Sequence, residues 1–227
     1  MDSEKGLQMT SDEIYKDLCD KIEHLQYMPG ERLSENDICK KYNVTRHVVR
    51  NVFAKLKARR LVEVLPQRGT YVSLINMQLI SDILYMREAV EQEALLRVFE
   101  LSEAEKETLI LKLSTLVDEQ KRFVKVGRYT DDFYKLDNQF HEELLIAIGK
   151  PNIMNLISEP YIHIRRWRNF EIRTEKRMQE IVQEHKGIIE AISQKKREDG
   201  REIMHVHIDS VCRHSKQLME REPQYFT

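Results

Sequence analysis

Apolar residues in the first third of the chain recur every three or four positions, the spacing of one buried face of an α-helix. The first stripe consists of Ile14, Leu18, Ile22 and Leu25. Thr10 or Ser11 can cap this helix at its start, and Pro29 with Gly30 ends it. The pattern therefore predicts one amphipathic helix before residue 29.

Two further helices and a hairpin are predicted after this break. Ser34 is expected to cap a short helix, ENDICKKY, and Thr45 a longer one, RHVVRNVFAKLKARR. The runs LVEVLP and TYVSL then favour two strands, joined by QRG with Gly69 at the turn. Helix, short helix, turn, helix and two-stranded wing is the order of a winged helix-turn-helix domain, which we assign to residues 1–75.

The remainder of the chain carries helical spacing and no strand pattern. Residues 76–227 are predicted to form six or seven helices arranged as an all-α antiparallel bundle, so the fold class is mainly α. The segment between the two predicted domains is short, which argues against a loose tether.

Composition fits a water-exposed, helix-rich protein. The chain is 41% hydrophobic and 33% charged, and it has neither an apolar run of membrane-spanning length nor a secretory signal. Its three cysteines form no CxxC pair, which argues against a disulfide framework or a cysteine zinc site. We therefore expect a cytoplasmic, nucleoid-associated protein with no membrane partner.

Charge is distributed unevenly along the chain. The segment 40–68 holds nine basic residues and one acid, a charge of +8, whereas the net charge of the whole chain is −1. A basic block in an otherwise acidic chain indicates a polyanion site, although a solvated helix face remains the alternative. Arg46, His47 and Arg50 would point outward near the start of the third helix, where a recognition helix meets base edges. Arg68 would lie at the wing tip.

Polar residues also occupy predicted core positions in three of the later helices. Asp137 and His141 fall inside the apolar arc of one helix, four residues apart, and His185 and His207 lie on the apolar faces of two others. A single inward histidine is usually a hydrogen-bonded core residue, but burying three with an aspartate is costly. A divalent metal would satisfy all four, and such a set leaves coordination positions open to an exogenous ligand.

The segment PGERLSENDICKKYNVTRHVVRNVFAKLKARRLVEVLPQRGTYV resembles the DNA-binding domain of the GntR family of bacterial transcription regulators. The resemblance implies binding to double-stranded operator DNA, with contacts centred on the recognition helix and wing. The expected DNA-binding residues are Ser34, Thr45, Arg46, His47, Arg50, Arg68 and Gly69. Asn36 and His47 depart from the usual family residues, so the operator sequence does not carry over.

The segments LDNQFHEELLIAIGKPNIMNLI, EHKGIIEAI and REIMHVHID resemble the FCD domain, the helical effector domain of one GntR subfamily. The resemblance places Asp137, His141, His185 and His207 at the family's metal-ligand positions. LYMREAVEQEAL resembles the first helix of that domain and puts Arg87 forward as the partner of an effector carboxylate. The alternative for Arg87 is a structural pair with Glu91.

The sequence therefore predicts a metabolite-responsive transcription regulator that acts as a homodimer and is not an enzyme. Zinc is the preferred metal, although the ligands also allow nickel, manganese or iron. The effector would be a small carboxylate or sugar acid. Two alternatives are left open: a metal-dependent hydrolase using the open site, and a regulator whose metal is purely structural.

Overall fold

The computed structural model describes residues 9–124, 130–157, 159–171, 175–212 and 215–227. These residues are mainly helical with one small sheet, which confirms the predicted fold class. The N-terminal elements are α1 (Ser11–Glu23), β1 (Arg32–Leu33), α2 (Glu35–Tyr42), α3 (Arg46–Ala58), β2 (Val62–Leu65) and β3 (Gly69–Val72).

Side-chain caps set the starts of the first two helices. The Thr10 hydroxyl accepts from the Glu13 amide, and the Glu13 carboxylate accepts from the Thr10 amide at 2.7 Å, which forms a capping box. Ser34 caps α2 by accepting from the Asp37 amide at 3.3 Å. Thr45 is the N-cap residue of α3, as predicted, although its side chain makes no capping hydrogen bond.

A left-handed residue makes the tight turn between α2 and α3. Asn43 has a φ of 52°, a conformation that asparagine tolerates better than most residues. The turn lets the apolar faces of α1, α2 and α3 meet in one core. Its fully buried members include Ile14, Leu18, Ile22, Val49, Val52 and Leu56.

The sheet has a third strand that the sequence pattern did not predict. Antiparallel pairing gives the order β1-β3-β2, with Leu65 opposite Gly69. Because β1 is only two residues long, it has no alternation to detect. Gln67, with a φ of 61°, takes the left-handed position in the turn, and Gly69 begins β3 with a φ of 114°. A Cβ on Gly69 would lie 3.2 Å from Arg32 Nε, so glycine also allows close approach of that side chain.

The later part of the described chain is helical. Its helices are α4 (Met77–Val98), α5 (Glu103–Val124), α6 (Asp131–Ala147), α7 (Ile153–Ile157), α8 (Tyr161–Glu171), α9 (Glu175–Ser193), α10 (Arg197–Asp209) and α11 (Ser215–Arg221). Helix α5 packs against α6 and α9, and α9 packs against α10. Within the described ranges, no helix has the length and apolarity needed to cross a bilayer.

Helix α10 ends at Asp209. A 3-10 turn over Ser210–Cys212 follows α10. The Ser210 hydroxyl donates to the His207 carbonyl at 2.6 Å, and a serine that bonds to the preceding turn favours such departures from α-helical geometry.

The described chain divides into two compact units. The first contains the residues up to Met77 together with Ile162–Asn169 and Gln217–Thr227, and the second contains Gln78–Tyr161 and Phe170–Lys216. The winged-helix unit thus includes eight residues of α8 that lie far along the sequence. The predicted boundary between residues 75 and 76 stays a prediction.

Side chains of α8 complete the winged-helix unit at the C-terminal ends of its helices. His163 Nε2 donates to the carbonyl of Arg59, the C-cap residue of α3, at 2.9 Å. Asn169 donates to the carbonyl of Glu23, the last residue of α1, at 3.0 Å, and Arg165 pairs with the Glu23 carboxylate at 2.7 Å. The contacts of His163 and Asn169 satisfy helix-end carbonyls, which have no partner within their own helix.

Arg166 is the most buried polar member of this group, and its removal should destabilise the winged-helix unit. Its guanidinium donates to both the Oγ and the carbonyl oxygen of Ser73, and burial lowers its pKa only to about 10, so it stays charged at neutral pH. Arg166→Ala should lower the free energy of unfolding by about 2–3 kcal/mol, the value of hydrogen bonds from a buried charge. Urea unfolding measures this loss.

Arg165→Ala is the matched control, because Arg165 lies on the same helix in a partly exposed ion pair. An exposed pair of this kind contributes about 0–1 kcal/mol. Equal losses in the two variants would contradict a structural role specific to Arg166.

Candidate metal centre and nucleic-acid interface

The four predicted metal ligands lie together in the second unit. Asp137 and His141 are one turn apart on α6, His185 lies on α9 and His207 on α10. All four are 0% exposed, and one ligand atom from each lies within 4.8 Å of the others. The packing of α9 against α10, and of α5 against both α6 and α9, brings these three helices to one point.

The spacing of the ligand atoms suits a small cation. His141 Nε2 and His207 Nε2 are 3.1 Å apart, and His185 Nε2 lies 3.7 Å from Asp137 Oδ1. Ligands around a tetrahedral zinc ion, with metal–nitrogen distances of about 2.0–2.1 Å, are separated by about 3.4 Å. The two measured distances lie on either side of that value.

Each imidazole has a polar partner at its other ring nitrogen, Nδ1. The contacts are His141 Nδ1 to Glu91 Oε2 at 2.6 Å, His185 Nδ1 to Gln120 Oε1 at 2.9 Å and His207 Nδ1 to Glu184 Oε2 at 2.8 Å. Outer partners of this kind fix the tautomer and the ring orientation of metal-binding histidines.

Two of these partners are ionised carboxylates. Burial alone would raise the pKa of Glu91, but the charge of Arg87 and the contact with the His141 ring outweigh it and lower the pKa to about 2. Burial likewise opposes ionisation of Glu184, but a hydrogen bond from His207 and the charge of Arg177 lower its pKa overall. An ionised carboxylate only accepts hydrogen bonds, so the bond to Glu184 requires the proton of His207 on Nδ1, and the close approach of Glu91 favours the same tautomer of His141.

In this tautomer His207 Nε2 presents a lone pair to the centre of the cluster, 3.1 Å from His141 Nε2. Burial lowers the pKa of His207 to about 4 and that of His185 well below its usual value, so a further proton is disfavoured at neutral pH. His185 Nε2 is buried and has no hydrogen-bond partner among the described residues. Three imidazole nitrogens and a carboxylate oxygen that converge in this way form a donor set that fits a divalent cation.

Arg87 lies beside this cluster in a buried pair with Glu91. Its Nε donates to Glu91 Oε1 at 2.6 Å, and its guanidinium carbon lies 5.9 Å from the centre of the Tyr161 ring. The structural pair that sequence reasoning kept as the alternative is thus present. Glu91 also contacts His141, so Glu91 links the Arg87 guanidinium to one of the predicted metal ligands.

The predicted recognition residues are exposed on α3 of the first unit. Arg46 donates to Asn36 Oδ1 at 2.9 Å, and Arg50 Nε contacts both carboxylate oxygens of Glu35 at 3.2 Å. The partners of both arginines come from α2 and not from α3 itself. His47 Nε2 lies 3.3 Å from an amide nitrogen further along α3.

The other predicted DNA contacts lie around this helix and on the wing. Thr45 is exposed at the start of α3, Ser34 is half-buried as the cap of α2, and Arg68 is exposed in the β2–β3 turn next to Gly69. Arg32 of β1, which was not among the predicted contacts, is also exposed here, and its guanidinium lies over Gly69. No motif marked it, because β1 exists only through pairing with β3.

Sequence reasoning also missed most of the outer partners of the histidines. Glu184 directly precedes His185 in the EH dipeptide of the quoted motif, which is the one signal that could have identified it. Gln120 lies 65 residues before its partner His185, and nothing in the α5 sequence distinguishes it from the other polar residues of that helix.

Two family profiles match the chain. The profile described as "Bacterial regulatory proteins, gntR family" matches residues 10–72, and the profile described as "FCD domain" matches residues 82–210. The second match covers more than half of the chain and contains all four residues of the candidate metal centre.

Curated relatives are similar over nearly the whole chain. The HTH-type transcriptional repressor RspR of Escherichia coli (strain K12) is 25% identical over 220 residues, which span 97% of this chain and 95% of the relative. The galactonate operon transcriptional repressor of the same strain is 24% identical over 229 residues, which span 92% and 97%.

Solved structures share the fold at low sequence identity. A putative transcriptional regulator GntR from Rhodococcus sp. RHA1 has a TM-score of 0.66 at 21% identity and covers 89% of this chain and 96% of its own. E. coli McbR/YncC has a TM-score of 0.62 at 16% identity and covers 90% and 98%.

Proposed function

Since the chain belongs to the gntR family of bacterial regulatory proteins and carries an FCD domain, we propose that this transcription regulator couples operator binding to a metal-dependent small-molecule signal. Its relatives and families are transcription regulators and not enzymes, so the hydrolase alternative is set aside. The observation that carries the proposal is the convergence of three imidazole rings and a carboxylate in a fully buried cluster.

The DNA-binding part of the proposal uses α3 and the wing. Arg46, His47 and Arg50 would enter the major groove of operator DNA, with Thr45 and Ser34, the cap of α2, beside the phosphates. Arg68 would reach a neighbouring groove, where Gly69 allows the backbone to approach closely. A homodimer would place two such units on the half-sites of a pseudo-palindromic operator.

The metal part of the proposal uses the buried cluster. Asp137, His141, His185 and His207 would hold one divalent ion, which we take to be zinc, although the same ligands suit nickel, manganese or iron. When bound, the ion would supply a Lewis-acidic centre that attracts a carboxylate oxygen.

The effector would be a small carboxylate or sugar acid bound near this centre. Arg87 would contribute positive charge and a bidentate donor, but it would have to share or exchange its contact with Glu91. One relative is named as the repressor of the galactonate operon, which fits a sugar-acid signal. Different affinities of the effector for two states of the regulator would then change operator affinity.

The complete burial of all four ligands favours one other candidate, a purely structural metal. In that case the ion would stabilise the packing of α6, α9 and α10, and any effector would bind elsewhere or be absent.

Elemental analysis followed by a thermal-shift screen of organic acids separates these candidates. If the metal senses an effector, an acid at a hundred times its Kd should stabilise the zinc-loaded protein by about 2.7 kcal/mol, an increase in Tm of roughly 5–10 °C. Chelator-treated protein is the control and should show no such increase. A structural metal would raise Tm when zinc is added, but no acid would raise it further.

A further inference from the structure

Beyond the four proposed metal ligands, a second set of residues contacts one of them, His207, and fixes its orientation. We propose that Glu184 is a positioning residue for His207 and that Arg177 holds Glu184 in place. The inference rests on the proposed metal at this site. Neither residue is among the predicted site residues.

An ion pair with two contacts fixes the Glu184 carboxylate. Arg177 Nη1 donates to Glu184 Oε1 at 3.0 Å, and Nη2 donates to Oε2 at 3.4 Å. The same Oε2 accepts from His207 Nδ1 at 2.8 Å. Arg177 is buried and its partner nearly so, and bidentate geometry restricts the carboxylate far more than a single contact would.

The same guanidinium also reaches the backbone around His207. Arg177 Nη2 donates to the hydroxyl oxygen of Ser210, and that hydroxyl donates to the His207 carbonyl at 2.6 Å. One arginine on α9 thus restrains both the ring and the main chain of His207 on α10. We call Arg177, Glu184 and Ser210 the His207 clamp.

The clamp determines which nitrogen faces the metal. An imidazole with its proton on Nε2 offers no lone pair there and cannot bind a cation through that atom. Hydrogen bonding of Nδ1 to a carboxylate selects the other tautomer and makes Nε2 more basic. The order guanidinium, carboxylate and imidazole recurs at His141, where Arg87 Nε donates to Glu91 and a Glu91 oxygen lies 2.6 Å from His141 Nδ1.

Glu184→Gln tests the clamp because it keeps the size of the side chain and removes its charge. Loss of an outer partner typically costs about 10–100-fold in metal affinity, so the variant should bind zinc that much more weakly than the natural protein. Competition with a chromophoric chelator measures the Kd for zinc alone. Glu180→Gln is the matched control, because Glu180 lies on the same helix and accepts a hydrogen bond from Arg177 at 3.3 Å, a contact that involves no imidazole.

A second measurement, on metal-free protein, reports the tautomer directly. Long-range ¹H–¹⁵N spectra should show His207 with its proton on Nδ1 in the natural protein and in Glu180→Gln, and a mixture of tautomers in Glu184→Gln. The His207 signal is assigned as the one lost in His207→Ala. Arg177→Lys keeps the charge but loses the bidentate contact, so its affinity for zinc should lie between those of the natural protein and Glu184→Gln. This variant replaces Glu184→Gln as the test if Glu184→Gln does not fold.

The outcomes distinguish the positioning role of Glu184 from the metal site itself. If the natural protein binds zinc and Glu184→Gln matches Glu180→Gln in affinity and tautomer, the positioning role is overturned while the metal site stands. If the natural protein binds no zinc, the metal of the proposed function is overturned, and the positioning role falls with it.

Discussion

His185→Ala is expected to reduce affinity for zinc by about a hundredfold or more and to abolish the thermal stabilisation that zinc provides. Structural zinc sites contribute about 10–16 kcal/mol in total, so each of four ligands accounts for roughly 3 kcal/mol. His185 is fully buried, and its ring stacks on Phe140 at 3.9 Å between centroids, so no other side chain can easily take its place. Elemental analysis after dialysis against zinc, with the Tm measured before and after, tests both effects.

His205→Ala is the matched control for this substitution. His205 is an exposed histidine on α10 that contacts Glu88 at 2.6 Å and lies outside the cluster. The control should keep its metal content and its zinc-dependent rise in Tm. If His185→Ala retained one zinc ion per chain with unchanged affinity, the four-ligand site would be wrong.

The inner residues of the metal centre could be predicted because each follows from local helical geometry. Asp137 and His141 are four residues apart, so they must share a helix face, and His185 and His207 each lie on an apolar face that must turn inward. The sequence could not show the distances between the apolar faces of the three helices. Those distances depend on how α6, α9 and α10 pack.

The outer partners could not be predicted, since they come from helices distant in sequence. Glu91 on α4 contacts a histidine on α6, and Gln120 on α5 contacts one on α9. Polar residues at such positions look like ordinary surface residues until tertiary packing buries them. The pair of Arg87 with Glu91 could be predicted, because the two residues are four apart on one helix. The contact of Glu91 with His141 could not, because it joins two helices.

Helix capping and hydrophobic periodicity predicted the winged-helix domain, but they did not predict two parts of the first unit. Strand β1 is too short to carry a pattern, and the segment Ile162–Asn169 looked like part of the helical bundle. That segment lies within the residues matched by the FCD profile, yet Ile162 belongs to the buried winged-helix core. Long-range packing of this kind has no local sequence signal, so only a structure could assign α8 to the first unit.

The DNA-binding face leads to the second large prediction. Arg46→Ala and Arg50→Ala should each weaken operator binding by about 10–100-fold at fixed salt, since a good bidentate contact to a base contributes about 1–3 kcal/mol. Both side chains are exposed on α3 and are held by α2, through Asn36 and Glu35, so their loss should leave the fold intact. Fluorescence anisotropy with labelled operator measures the affinity, and circular dichroism checks the fold.

Salt dependence shows what each arginine contacts. An arginine that binds a phosphate should, when removed, weaken all DNA sequences alike and reduce the salt slope by about 1, whereas one that reads a base should relax specificity at one position. Arg97→Ala is the control, because it removes an exposed arginine paired with Glu93 in the second unit. Normal operator affinity in both α3 variants would show that α3 is not the recognition helix, and the wing with Arg32 and Arg68 would then have to carry the contacts.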